Sequence, residues 1–202
     1  MNATSRDFFE RMYQRSPDPW SFASSDYELD RYARTLEFVP PECFRNVFEP
    51  GCSIGELTVG LAERCGHVTA IDIAESAVEK ARERCRSLGN VDVQQGSLVD
   101  DMPVGPFDLV VFSEIGYYFA QSDLIGLGQR LASRIEGGGQ LLAVHWTGVS
   151  CDHVLGGARV HQILGEHLPM EHLHHEKNSW DDRDGFVLDI WRNPPPTRIQ
   201  HA

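Results

Sequence analysis

The stretch VFEPGCSIGELTVGLAERCGHVTAIDI, residues 47–73, decides the fold. Val47-Phe48-Glu49 is a short apolar run that stops at Pro50-Gly51, as a strand entering a turn does. Leu57, Leu61 and Cys65 then recur every four residues, which predicts a helix over 56–65. Val68 to Ile73 is nearly continuous and β-rich, as in a strand covered on both faces. A strand, a tight glycine turn, a helix and a second strand make one crossover unit of a parallel sheet.

The pattern continues outward. Residues 76–88 predict a second helix with Ala77, Val78, Ala81, Cys85 and Leu88 on one side, and Val91 to Gln95 a third strand. Phe107 to Phe112 gives the strongest buried-strand signal. Ser122 and Asp123 suit the N-cap of a helix over 124–135, broken by Gly137-Gly138-Gly139 before a fifth strand over 140–146. The predicted fold class is α/β, a doubly wound and mostly parallel sheet. The ends differ. Residues 4–38 predict two helices around the turn Ser16-Pro17-Asp18-Pro19-Trp20, and residues 157–168 another helix. Strands over 171–180 and 186–191 are joined by Asp181-Asp182-Arg183-Asp184-Gly185. A turn that short requires antiparallel pairing. The tail after Pro194 is predicted to fray.

Composition narrows the function. The 202 residues carry 18 basic and 30 acidic side chains, a formal charge of −12. Such a surface repels nucleic acid and anionic lipid, so neither is expected as a partner. No apolar run approaches the roughly 20 residues of a membrane span, and Met1 to Ser16 lack the apolar core of a secretory signal. Five cysteines without a C-x-x-C pair encode neither a disulfide framework nor a zinc ribbon, so a cytoplasmic location is expected.

The chemistry lies in the first turn. Glu49-Pro50-Gly51-Cys52-Ser53-Ile54-Gly55 is a loop whose glycines allow a ligand close to the backbone. Asp72 ends the next strand 21 residues after Gly51, where a carboxylate can accept from both hydroxyls of an adenosine ribose. A dinucleotide loop would read G-x-G-x-x-G, but Ser53 takes the place of the second glycine. Glu49 would repel a pyrophosphate and suits an ammonium group. An adenosine cofactor with a methionine end, S-adenosyl-L-methionine, fits these residues better than a dinucleotide does. Gly96-Ser97-Leu98 follows the third strand, with Ser97 where an acidic residue commonly meets the adenine. Ser113-Glu114-Ile115-Gly116-Tyr117-Tyr118 follows the fourth strand, where the methyl group would be presented.

The runs FEPGCSIGELTVGLAERCGHVTAIDIAESAVEKARERC and FDLVVFSEIGYYF resemble the NodS-like (nodulation protein S) family of class I methyltransferases. Asp18-Pro19-Trp20 and Tyr27-Glu28-x-x-Arg31-Tyr32 resemble that family's lid helices. Residues 152–158 and Trp191-Arg192-Asn193-Pro194 resemble its C-terminal part, so the likeness spans about residues 8 to 194. The resemblance implies a Rossmann-like sandwich with a seven-stranded sheet, forming one domain over 1–202. Within it, 1–40 would be a helical lid, 41–150 the cofactor-binding core, and 151–202 a helix with the antiparallel strands. It also implies transfer of a methyl group to the amine of an amino sugar or oligosaccharide. Trp20, Arg31, Glu49, Gly51, Cys52, Ser53, Gly55, Asp72, Ile73, Ser97, Leu98 and Ser113 would then hold the cofactor. Tyr27, Tyr117 and Tyr118 would line the acceptor. A different small metabolite, or a cofactor-binding partner subunit without turnover, are the competing readings.

Three residues compete as general base. Glu114 is the best placed; His145, at the end of the fifth strand, and His153 are the others. Six of the nine histidines fall between 153 and 175. Alternation puts His172 and His174 on one face, but the sequence defines no third ligand, so no metal is expected. Asn193-Pro194-Pro195-Pro196 reads as a turn and tail.

Overall fold

The computed structural model describes residues 5–180 and 184–195. The turn residues 181–183 and the tail 196–202, on which two of the sequence expectations fall, lie outside the described residues. Helices α1 (Arg6–Arg15) and α2 (Asp26–Glu37) precede the alternating core. There β1 (Asn46–Pro50), α3 (Glu56–Ala62), β2 (His67–Asp72), α4 (Glu75–Cys85), β3 (Val91–Gln95) and β4 (Phe107–Ser113) follow one another. Then come α5 (Gln121–Arg134), β5 (Ile135–Trp146), α6 (Gly157–His167), β6 (Glu171–Lys177) and β7 (Phe186–Arg192). The seven strands form one sheet in the order β3-β2-β1-β4-β5-β7-β6. The first five strands are parallel to one another; β7 is antiparallel to both β5 and β6. The order reverses between β1 and β4, so the crevice where ligands bind such sheets opens at their carboxyl ends.

Every residue of β4 is buried. Alternate side chains feed two cores, which explains its unbroken apolar sequence. Phe48, Val110, Phe112, Leu131, Leu141 and Trp191 pack on one face; Val47, Leu61, Leu109, Val144 and Leu188 pack on the other. The helix after β4 differs from its expected bounds. It starts at Gln121 with no side-chain cap, so Ser122 and Asp123 sit inside its first turn. It ends at Arg134, and the glycine run lies within β5. Phe107 pairs with Ile135 but Leu109 with Gln140, so the glycines are accommodated as a bulge. In α3, Cys65 falls beyond the last turn. Among the described residues, no helix is long and apolar enough to cross a membrane.

Candidate active site

The loop after β1 is tied down from below. Gly51 and Cys52 donate their backbone N–H groups to Ile71 O at 2.7 and 2.9 Å. Gly51 has φ +74°, and a Cβ there would stand 2.5 Å from Ile115 Cγ2, so the loop needs glycine. Gly55, also at positive φ, serves differently. Its missing Cβ would meet the Ala81 backbone at 3.1 Å, so it packs the loop on α4 rather than facing a ligand. Asp72 ends β2 and accepts from Ser53 N and Ala74 N, both at 2.9 Å. Burial raises its carboxyl to about 6, against the lowering effect of those two donors.

Above this loop is a cavity of about 1420 Å³. Trp20, Tyr27, Gly51, Ser53, Asp72, Ile73, Ser97, Leu98, Ser113, Glu114, Tyr117, Tyr118 and His153 all line it. Tyr13 covers the loop after β1, its hydroxyl donating to Ser53 Oγ at 2.5 Å, and its ring meets Trp20 edge-on. Glu10 receives Ser76 N and Oγ, which pins α1 onto the start of α4. Tyr13 and Glu28 are contacts that sequence reasoning missed. Tyr13 left a trace only in the amphipathic pattern of α1, and Glu28 only in the lid motif around Arg31.

A smaller pocket adjoins the cavity through Gly51, Ser53, Ser113 and Glu114, and adds Arg31, Glu49 and Cys52 to the walls. Arg31 is buried. Its guanidinium holds Glu28 and donates to Ser113 Oγ at 2.9 Å. Burial opposes its charge, but the carboxylates of Glu114 and Glu28 outweigh that and keep it protonated. Glu49 is buried too. It accepts from Thr58 Oγ1 at 2.6 Å, yet burial pushes its carboxyl up to about 8. Burial likewise raises the Cys52 thiol far from its reactive range.

Glu114 is a non-glycine residue at φ +59°, a conformation that costs about 1–2 kcal/mol. The turn it makes re-aims its carboxylate at the crevice. Oε1 accepts from Trp146 N at 2.6 Å and Oε2 from the Tyr117 hydroxyl at 2.9 Å. Burial raises its pKa, and Arg31 opposes the rise. His153 stacks on Tyr117 with ring centroids 3.6 Å apart. Burial lowers its pKa, so it is neutral near pH 7. Its Nδ1 is buried without a hydrogen-bond partner among the described residues.

His145 does not reach the rim. It is fully buried, because α6 and the turn at Gly116–Tyr118 close over the end of β5. Gly116 N donates to its Nε2 at 2.9 Å, and its Nδ1 lies 3.0 Å from His161 Nε2. The first bond fixes the tautomer: Nδ1 carries the proton and donates to His161. His161 Nδ1 in turn meets Asp189 Oδ2 at 2.6 Å. His145 does not line the cavity, and its Nε2 lone pair is already taken by Gly116 N, so it supports the turn after β4 from beneath.

The residues fit a methionine-bearing nucleoside. Gly51 lines the cavity at a positive φ, Asp72 faces it, and the buried carboxyl of Glu49 lies at the small pocket. Replacing Asp72 by Ala should weaken S-adenosylhomocysteine binding roughly 10- to 150-fold, since a hydrogen bond to a charged group is worth about 1.5–3 kcal/mol. Calorimetry measures this, and unchanged affinity would remove Asp72 from the cofactor site.

Comparison with known proteins agrees. The model of the family Nodulation protein S (NodS) matches residues 2–171. Nodulation protein S of Rhizobium tropici is 29% identical over 188 residues, covering 88% of this chain and 76% of that protein. A crystal structure from Pseudomonas syringae, provisionally described as a methyltransferase, is 38% identical with a TM-score of 0.71. It covers 83% of this chain and 99% of its own. The N-methyltransferase NodS from Bradyrhizobium japonicum WM9, solved with S-adenosyl-L-homocysteine, superposes with a TM-score of 0.80 at 23% identity. That match covers 96% of this chain and 100% of the other. The chain therefore belongs to the nodulation protein S family and is an S-adenosylmethionine-dependent methyltransferase.

Proposed function

We propose that the enzyme methylates the amine of an amino sugar or amino-sugar oligosaccharide. The carrying observation is the make-up of the cavity. Its walls bear the acidic Glu28, Asp72, Asp100, Glu114 and Asp123 against the basic Arg6 and Arg130. That balance suits a cationic acceptor and disfavours a phosphorylated one. At about 1420 Å³ the space exceeds the ~300–1,000 Å³ of an ordinary ligand site, which leaves room for an acceptor beside the cofactor. Tyr118 and the stacked Tyr117–His153 pair offer flat apolar faces on which a sugar ring can lie. The name N-methyltransferase borne by the Bradyrhizobium relative supports nitrogen as the methylated atom.

When bound, the cofactor supplies an electrophilic methyl group on a sulfonium. The chain's residues then have two tasks. Gly51, Ser53, Asp72, Ile73, Ser97 and Leu98 hold the nucleoside, while Arg31, Glu49 and Ser113 surround the methionine end under the Trp20 lid. Glu114 receives the acceptor's ammonium, takes one proton from it, and leaves a neutral nitrogen lone pair in line for attack. Tyr27 and Tyr118 shape the acceptor's berth. A methylation screen over glucosamine oligomers, phenols and unrelated small amines tests the reading. Turnover confined to phenols would overturn it.

Glu49 gives a separate check on the methionine end. Its folded-state pKa of about 8 lies above the usual 4.5, so the carboxyl is mostly protonated at pH 7. Its ionisation costs the free protein stability as pH rises from about 5 through 8. A cofactor ammonium beside it reverses the balance and drives the proton off. S-adenosylhomocysteine binding at pH 7 should therefore release close to one proton, read as a buffer-dependent binding enthalpy. The release should vanish well above pH 8 and in Glu49→Gln. Buffer-independent enthalpy at pH 7 would place the ammonium elsewhere.

A further inference from the structure

Sequence alternation would pair His172 with His174, but β6 carries a register shift between them. The shift turns His174 onto the Phe38 ring and brings His172 and His175 to one carboxylate instead. That carboxylate is Asp189 of β7, buried, while both imidazoles stand about half exposed at the sheet edge. His172 Nε2 lies 2.5 Å and His175 Nδ1 2.9 Å from the same Asp189 Oδ1. The three ligand atoms fall within 4.8 Å of one another.

We propose that His172, His175 and Asp189 form a surface site for a divalent transition-metal cation of the zinc type. Two imidazole nitrogens and one carboxylate oxygen are a common donor set for zinc and its neighbours, whereas magnesium and calcium prefer oxygen alone. In a tetrahedral site with bonds of about 2.0–2.2 Å, ligand atoms stand roughly 3.4 Å apart. The cluster needs only small side-chain shifts to open to that spacing, and the exposed imidazoles are free to make them. Entry is direct, because β6 is the edge strand. The support behind the ligands is already built. His161 holds the other oxygen of Asp189 at 2.6 Å and is itself held by His145, so the carboxylate cannot swing away. A carboxylate that only filled the core would not need three imidazoles around it, two of them costing rotamer freedom at the surface. Three protein ligands leave a coordination position for water or for a ligand from another molecule.

The test uses the full chain, stripped with chelator, and zinc added in small molar excess. The expected result by calorimetry is one zinc per chain, bound roughly 100-fold more weakly or not at all by His172→Gln/His175→Gln. The melting temperature should rise with zinc in the unsubstituted protein and stay put in the variant. Equal zinc binding by both proteins, or none by either, overturns the proposal. A measurement without substitutions stands beside it. Cobalt(II) should broaden the NMR signals of the His172 and His175 rings first and leave the exposed His67 sharp. Broadening that spares His172 and His175 overturns it as well.

Discussion

Replacing Glu114 by Gln is expected to lower kcat by roughly 10²–10⁴ while the affinity for S-adenosylhomocysteine changes little. The substitution preserves the loop. Gln keeps an oxygen for Trp146 N, and its amide can donate to the Tyr117 hydroxyl, so the contacts at 2.6 and 2.9 Å retain partners. What disappears is the charge. An ammonium acceptor then loses its counter-ion and the group that takes its proton. Burial raises the Glu114 carboxyl above its ordinary value, and the Arg31 charge opposes that rise. The acidic limb of the kcat profile should move or vanish in the variant. If turnover stays within a few-fold and that limb is unmoved, the carboxylate only shapes the loop, and the acceptor binds as a neutral amine.

The second large effect is on stability. Arg31→Ala removes a cation that balances Glu28 and Glu114, and it does so inside the protein. Breaking a buried pair typically costs about 3–5 kcal/mol, because the remaining carboxylate stays desolvated without its partner. At about 2–4 °C per kcal/mol for a chain of this size, the melting temperature should fall by roughly 6–20 °C. Arg31→Lys should recover part of the loss. A lysine keeps the charge but cannot span Glu28 and Ser113 with one planar fork. Cofactor affinity should fall in both, since the guanidinium walls the small pocket. A melting point within a degree or two of the unsubstituted protein would show that Arg31 acts at the surface of the lid and not as its anchor.

The parallel core was legible because each of its units is local. Between Val47 and Gln95 every helix and strand declares itself by its own period, and Asp72 lies one crossover from Gly51. The misread parts depend on partners far along the chain. Whether Ile135 to Gly139 continues a helix or opens a strand is settled by Phe107, which pairs with Ile135 across the sheet. His145 sits at a strand end, a place that normally faces the crevice. It is withdrawn because Gly116, 29 residues earlier, folds back to donate to it, and Gly157 lets α6 press against Trp146 with no room for a Cβ. Arg31 came into the cofactor site through the lid resemblance alone, since nothing in α2 itself shows that its face is buried with Glu28. His172 and His174 were two apart on a strand, and only the register shift against β7 moved the meeting point to His175.

The relay from Gly116 through His145 and His161 to Asp189 has a bearing on how this sequence can drift. Each member offers its neighbour one complementary partner, donor to acceptor, in a single direction. A change at any one position strands a buried donor or acceptor on the next, at a cost of about 1–3 kcal/mol. Apolar residues of matching volume at His145 and His161 together leave only the Gly116 amide and one Asp189 oxygen unpaired, so the double change should cost less than the sum of the two single changes. Once one of the two histidines is lost, the relay should hold the other in place far less strongly than before.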